Sequence, residues 1–133
     1  MKTKFYILNI TIFFITFSTL SQEKQSVTIQ QKQVSENAIY QLFPTPNMYN
    51  FIKLNTRNGK MSQVQWGVED KFRFETTLSD ISRVNLEEEK NGRFILYSTT
   101  NTYNLILLDQ IDGRTWQVQW STEEKNRMVM RIY

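Results

Sequence analysis

The chain has 133 residues, with 16 Lys and Arg against 13 Asp and Glu, and it contains neither His nor Cys. Those two absences remove disulfides, thiolate nucleophiles, Ser-His-Asp triads, His general bases and the common zinc and iron sites. The length allows one domain, or two small ones.

Residues 1–21 read as a targeting segment. Lys2 and Lys4 precede the apolar run from Phe5 to Phe17, and the small or polar residues Ser18, Thr19 and Ser21 follow. Charge, apolar stretch and small-residue site in that order predict a secretory signal cut between Ser21 and Gln22. An uncleaved anchor fits less well, because Asn9, Thr11 and Thr16 interrupt a run shorter than the roughly 20 residues a span requires. Cleavage removes Lys2 and Lys4 and leaves 14 basic against 13 acidic residues. That near balance gives no basic stripe for phosphates, so nucleic acid is not expected as a partner. No membrane span is expected after cleavage, and the protein is expected in the periplasm or outside the cell.

Residues 22–37, rich in Gln, Lys and Ser, predict a flexible leader. Residues 38–133 predict one β domain, because the chain repeats itself at an offset of 54. Positions 42–74 read against 96–128 give 15 identities in 33 without a gap. The unit is therefore a tandem duplication, with copies at 38–78 and 93–133 and a linker over 79–92. Each copy predicts first strands at Ala38–Phe43 and Arg93–Tyr97, then Tyr49–Leu54 and Tyr103–Leu108, apolar on both faces. Asn55 to Gly59 and Asp109 to Gly113 follow as hairpin turns, with Gly in the left-handed position. Lys60–Trp66 and Arg114–Trp120 alternate with period two, which means strand. Fourth strands are expected over Arg73–Leu78 and Arg127–Ile132. The fold class is all-β: two meanders of three or four antiparallel strands, packed as a small sandwich or barrel, or as two blade-like sheets.

Several motifs invite a chemical reading. Glu69-Asp70 and Glu123-Glu124 are adjacent acids, but beside Lys71, Arg73, Lys125 and Arg127 they read as solvated turns and not as a hydrolytic pair. Asp109 and Asp112 suggest calcium, yet the equivalent turn carries Asn55 and Asn58, so turn geometry is the shared requirement. No metal or cofactor is expected. Gln63 and Gln65, repeated as Gln117 and Gln119, place paired amides on one strand face, either as a ligand edge or as a structural pair. Asn47 and Tyr49, repeated as Asn101 and Tyr103, lie in a strand-to-strand turn, with Asn bonding local backbone and Tyr entering the core. Trp116 has no counterpart, since Ser62 stands opposite, which favours the second copy as a binding surface.

The words Asn-x-Tyr-Asn-(Phe/Leu)-Ile-x-Leu and Gly-(Lys/Arg)-x-x-Gln-Val-Gln-Trp resemble a family of small exported bacterial proteins that carry this tandem repeat over about residues 40–132. The resemblance implies export and the duplicated unit, and carries no activity with it.

The expected function is a non-enzymatic binding module whose partner is a protein, a class that includes inhibitor and immunity proteins. Its candidate residues are Asn47, Tyr49, Gln63, Gln65, Asn101, Tyr103, Trp116, Gln117 and Gln119. Carbohydrate binding is the alternative, with Trp116, Trp120 and Tyr103 as a stacking platform and Gln117 and Gln119 as hydrogen-bonders.

Overall fold

The computed structural model describes residues 38–133; the expected signal segment 1–21 and leader 22–37 lie outside the described residues. Eight strands form two four-stranded antiparallel sheets, each a meander with strands in chain order. The first holds β1 (Tyr40–Pro44), β2 (Asn50–Asn55), β3 (Met61–Gln65) and β4 (Phe74–Ser79). The second holds β5 (Phe94–Ser98), β6 (Asn104–Asp109), β7 (Thr115–Gln119) and β8 (Met128–Ile132). Both sheets are open-edged, so the barrel alternative does not apply, and the copies are meanders of four strands each.

The turns follow from their residues. Gly59 and Gly113 adopt φ of 77° and 71°. In the first hairpin Asn55 Oδ1 accepts from Arg57 N and Asn58 Oδ1 from Lys60 N, each side chain standing in for a backbone turn acceptor. The charged loops before β4 and β8 tighten into single 3₁₀ turns at Asp70–Phe72 and Glu124–Asn126. The linker holds one more, at Leu86–Glu88, where Glu88 Oε2 accepts from Asn85 N. The linker and the start of β5 are both tied back to the first hairpin: Arg83 N donates to Asn58 O and Phe94 N to Thr56 O, both at 2.8 Å.

Within each sheet, residues in direct register share a face. Ile52 pairs Phe43 and Gln63, and Leu54 pairs Gln41 and Met61. This face of the first sheet is buried. On the second sheet the buried face carries Phe94, Leu96, Leu105, Leu107, Trp116 and Val118, followed by Trp120. Both sets join in one core, with β2 close to β5 and β4 close to β8. Arg127 Nη1 also reaches across to Thr76 Oγ1 at 3.1 Å.

The two copies therefore bury opposite faces. Ile52 and Leu54 are core, while their equivalents Ile106 and Leu108 lie on the outer face of the second sheet. Conversely Leu107 is core and its equivalent Lys53 faces outward. The front of one sheet is stacked on the back of the other, as successive propeller blades are. Substitutions between the copies match this: Lys53, Ser62 and Glu75 stand on the outer face where Leu107, Trp116 and Val129 fill the core.

Candidate functional site

The turns joining β1 to β2 and β5 to β6 have the same construction. Asn47 Oδ1 accepts from Tyr49 N at 3.0 Å and Asn101 Oδ1 from Tyr103 N at 2.9 Å. Thr45 Oγ1 and Thr99 Oγ1 close the same turns on Asn50 O and Asn104 O. Asn47 and Asn101 thus spend their side chains on local backbone, as short polar residues do at strand ends. Tyr49 and Tyr103 do not enter the core: they are 48% and 54% exposed. Each instead leans on a tryptophan, with ring centroids 5.3 Å apart for Tyr49 and Trp66 and 5.4 Å for Tyr103 and Trp120. Each indole Nε1 donates to a turn carbonyl at 2.9 Å, Trp66 to Met48 O and Trp120 to Thr102 O.

Identical local bonding gives different surroundings because the sheets bury opposite faces. Trp120 is 2% exposed and Trp116 7%, both in the core. The stacking platform expected from Trp116, Trp120 and Tyr103 is therefore not formed, and Trp116 is not a surface residue. The missing counterpart of Trp116 marks a core-filling position and not a ligand contact. Trp66, on the outer face of the first sheet, is exposed.

The glutamines separate in the same way. Gln63 is fully buried, with Nε2 donating to Asn50 Oδ1 at 3.0 Å and Oε1 lacking a partner. Gln117 makes the equivalent bond to Asn104 Oδ1 at 2.7 Å on the outer face of the second sheet. Gln119 Nε2 donates to Asn126 O, and Gln65 is half-buried at the end of β3. The amide pairs bond across adjacent strands of their own sheet, not across the two repeats. An open cleft of about 400 Å³ brings Asn101, Tyr103 and Gln119 together with Glu123 and Asn126. The acids of the charged loops are exposed, and three of them are paired: Glu69 with Lys71, Asp70 with Arg73 and Glu123 with Lys125.

Two features had no place in the expected set. One is a buried ionic cluster under the second hairpin. Asp109 is fully buried; its Oδ1 accepts from Arg93 Nε and from Ile111 N, and its Oδ2 from Arg93 and Arg114, all at 3.0 Å. Asp112 accepts from the same two arginines. Burial pushes the Asp109 carboxyl up, but the donors from Arg93, Asp112, Ile111 and Arg114 outweigh it and hold the group below the ordinary Asp value. Arg93 is raised in turn by its bonds to Asp109. The carboxylates that suggested calcium are thus occupied by guanidinium groups, and no metal-ligand cluster exists among the described residues.

The second feature is an apolar patch at the end of the first sheet. Met48, Tyr49, Trp66, Val68 and Phe72 are all exposed, and Val68 is 92% so. Close approach holds the patch together: a Cβ on Gly67 would lie 2.7 Å from Phe72 Cβ. Arg73 Nη1 donates to the carbonyls of Gly67 and Val68. The exposed charged residues Glu69, Asp70, Lys71 and Arg73 flank Val68 and Phe72 in the chain, with Lys71 Nζ 4.8 Å from the centre of the Phe72 ring. In the second copy, the positions of Met48, Val68 and Phe72 hold Thr102, Thr122 and Asn126. That contrast is visible in the repeat alignment and was the available signal.

Among the described residues no helix is long and apolar enough to cross a membrane. Comparison of the chain with protein-family models, with curated proteins and with solved structures finds no match.

Proposed function

We propose that this chain is an exported, non-enzymatic binding module that engages another protein through the aromatic end of its first repeat. The observation that carries the reading is the patch of Met48, Tyr49, Trp66, Val68 and Phe72 with its flanking charged residues. Large exposed apolar groups rimmed by charge are the usual anatomy of a protein contact, and Trp, Tyr and Met are enriched there. The indole of Trp66 is fixed by its bond to Met48 O and its ring contact with Tyr49, so little side-chain freedom is lost on binding. The polar replacements in the second copy support the same reading, since an equally built end without a partner has no use for exposed Met, Val and Phe.

Carbohydrate binding is the weaker reading, because Trp116 and Trp120 are buried and the stacking platform they were expected to form with Tyr103 is absent. The inhibitor and immunity roles stay within the protein-binding class.

The test is a photo-crosslinking side chain at position 68 of the mature chain, exposed to the extracellular or periplasmic fraction of its source. A discrete protein adduct is expected, lost in Trp66→Ala and Phe72→Ser and kept when position 102 is substituted. No adduct, or one indifferent to Trp66 and Phe72, overturns the reading.

A further inference from the structure

The outer face of the second sheet has the composition of a face that should be covered. It presents Ile95, Tyr97, Ile106, Leu108, Met130 and Ile132. These occupy the repeat positions of Gln41, Phe43, Ile52, Leu54, Thr76 and Leu78, which point into the core from the first sheet. The exposed face is thus at least as apolar as the equivalent face that the chain does bury. It carries no charged side chain at any outward position of β5–β8. At its centre Gln117 Nε2 donates to Asn104 Oδ1, as Gln63 Nε2 does to Asn50 Oδ1 under the cover of the other sheet.

We infer that this face is an interface with a second copy of the same chain, closed about a two-fold axis. The internal junction already demonstrates that such a face packs against a sheet. Two copies could meet in two ways. In a head-to-tail arrangement the face would cover the outer side of the next copy's first sheet, generating a ring or an open filament. That side carries the ion pair of Lys53 and Glu75 at its centre, beside Ser62. Covering it desolvates both charges, which their mutual attraction rarely repays. In a two-fold arrangement the uncharged face meets itself, no like charges are juxtaposed, and Lys53 and Glu75 stay in water. Charge distribution selects the second.

Area sets the strength. Four strands about 4.8 Å apart and five residues long at about 3.3 Å each give a footprint of roughly 300 Å² per partner. Counted over both partners that is about 600 Å², below the roughly 1,200 Å² of a standard specific interface, so only a weak, transient dimer is expected, with a Kd on the order of 100 μM or weaker. The patch around Trp66 lies elsewhere on the molecule, so the dimer would present it twice.

The experiment is sedimentation of the purified mature chain from about 1 μM to about 1 mM, with no partner added, so its outcome is independent of the protein-binding reading. A reversible monomer–dimer equilibrium is expected. Met130→Lys should weaken it at least about tenfold while leaving the melting temperature of the dilute protein unchanged. Because the chain contains no Cys, Ile106→Cys provides one thiol near the face centre. Mild oxidation should link two copies of that variant through position 106, whereas Phe51→Cys on the first sheet should not self-link. A monomer throughout, an open-ended series of oligomers, or a dimer indifferent to Met130→Lys would overturn the inference.

Discussion

Ile52 and Ile106 occupy the same position of two copies of one unit and face opposite ways, one sealed between the sheets and the other on the outer surface. The same inversion holds for Leu107 and Lys53. Truncation should therefore have unequal costs at equivalent sites. Ile52→Ala and Leu107→Ala are expected to destabilise by about 2–5 kcal/mol, and Ile106→Ala by well under half of that in dilute solution. Lys53→Ala should stay within about 1 kcal/mol, as exposed ion pairs do. Denaturant unfolding of the four variants checks the order, and equal losses at 52 and 106 would contradict the front-to-back stacking.

Trp66 and Trp120 offer a second matched pair, with the same indole bond and nearly the same tyrosine contact. Trp120→Ala should cost about 3–5 kcal/mol, the range for a large aromatic removed from a core. Trp66→Ala should cost much less in folding and abolish partner capture. Fluorescence quenching by acrylamide should report Trp66 as accessible and Trp116 and Trp120 as shielded.

The ionic cluster predicts an acid limb of stability. Asp109 is held below its ordinary value in the folded chain, so its contribution is fully present above the unfolded Asp pKa of about 3.9 and is lost as pH falls through the folded value. Glu75, lowered first of all by the bond from Lys53 and then by that from Ser62, acts in the same direction with a smaller exposed contribution. Arg93, raised by Asp109, stays charged across the range and adds no alkaline limb. Asp109→Asn should destabilise by about 3–5 kcal/mol at neutral pH, because it leaves a buried Arg93 short of its counter-charge. It should also flatten the decline below about pH 4. Thermal melts of both proteins from neutral to acid pH measure the difference.

Gly59 and Gly113 share a left-handed backbone but not their surroundings. A Cβ at 59 would meet Arg83 Cγ at 2.9 Å and Phe94 Cδ1 at 3.4 Å, whereas nothing lies within 4 Å at 113. Gly113→Ala should cost only the backbone strain, about 1 kcal/mol. Gly59→Ala should cost more, since the linker side chain of Arg83 must also move. Comparing denaturation midpoints of the two variants decides it.

Strands and turns were legible because each was written twice: alternation around Gln63-Val64-Gln65 and the Asn-Gly and Asp-Gly turns name the elements within a residue or two. Which face turns inward was not, since alternation fixes two faces and not their fate. The missing information lay in the differences between copies. Lys53, Ser62 and Glu75 against Leu107, Trp116 and Val129 state which side of each sheet is wet, but Trp116 invited a ligand reading instead. A tyrosine beside a strand resembles a core residue, but Tyr103 is kept out by the buried Trp120 it leans on, and Tyr49 leans on Trp66 on the exposed outer face. Arg93 could not be assigned to Asp109 from sequence, because the bond depends on the first strand and second hairpin of the copy meeting at one end.

Front-to-back stacking has a consequence for how such a chain can change over time. In a two-fold sandwich one inherited face meets its own image, and every substitution is felt on both sides of the seam. Here each unit owns two unlike faces, so an edit alters a single junction. Lys53 and Glu75 stand on the outward side of the first unit, while Ile52, Leu54 and Met61 keep its hidden side hydrophobic. Duplication followed by one-sided editing is thus enough to turn a self-stacking unit into a stack of fixed length.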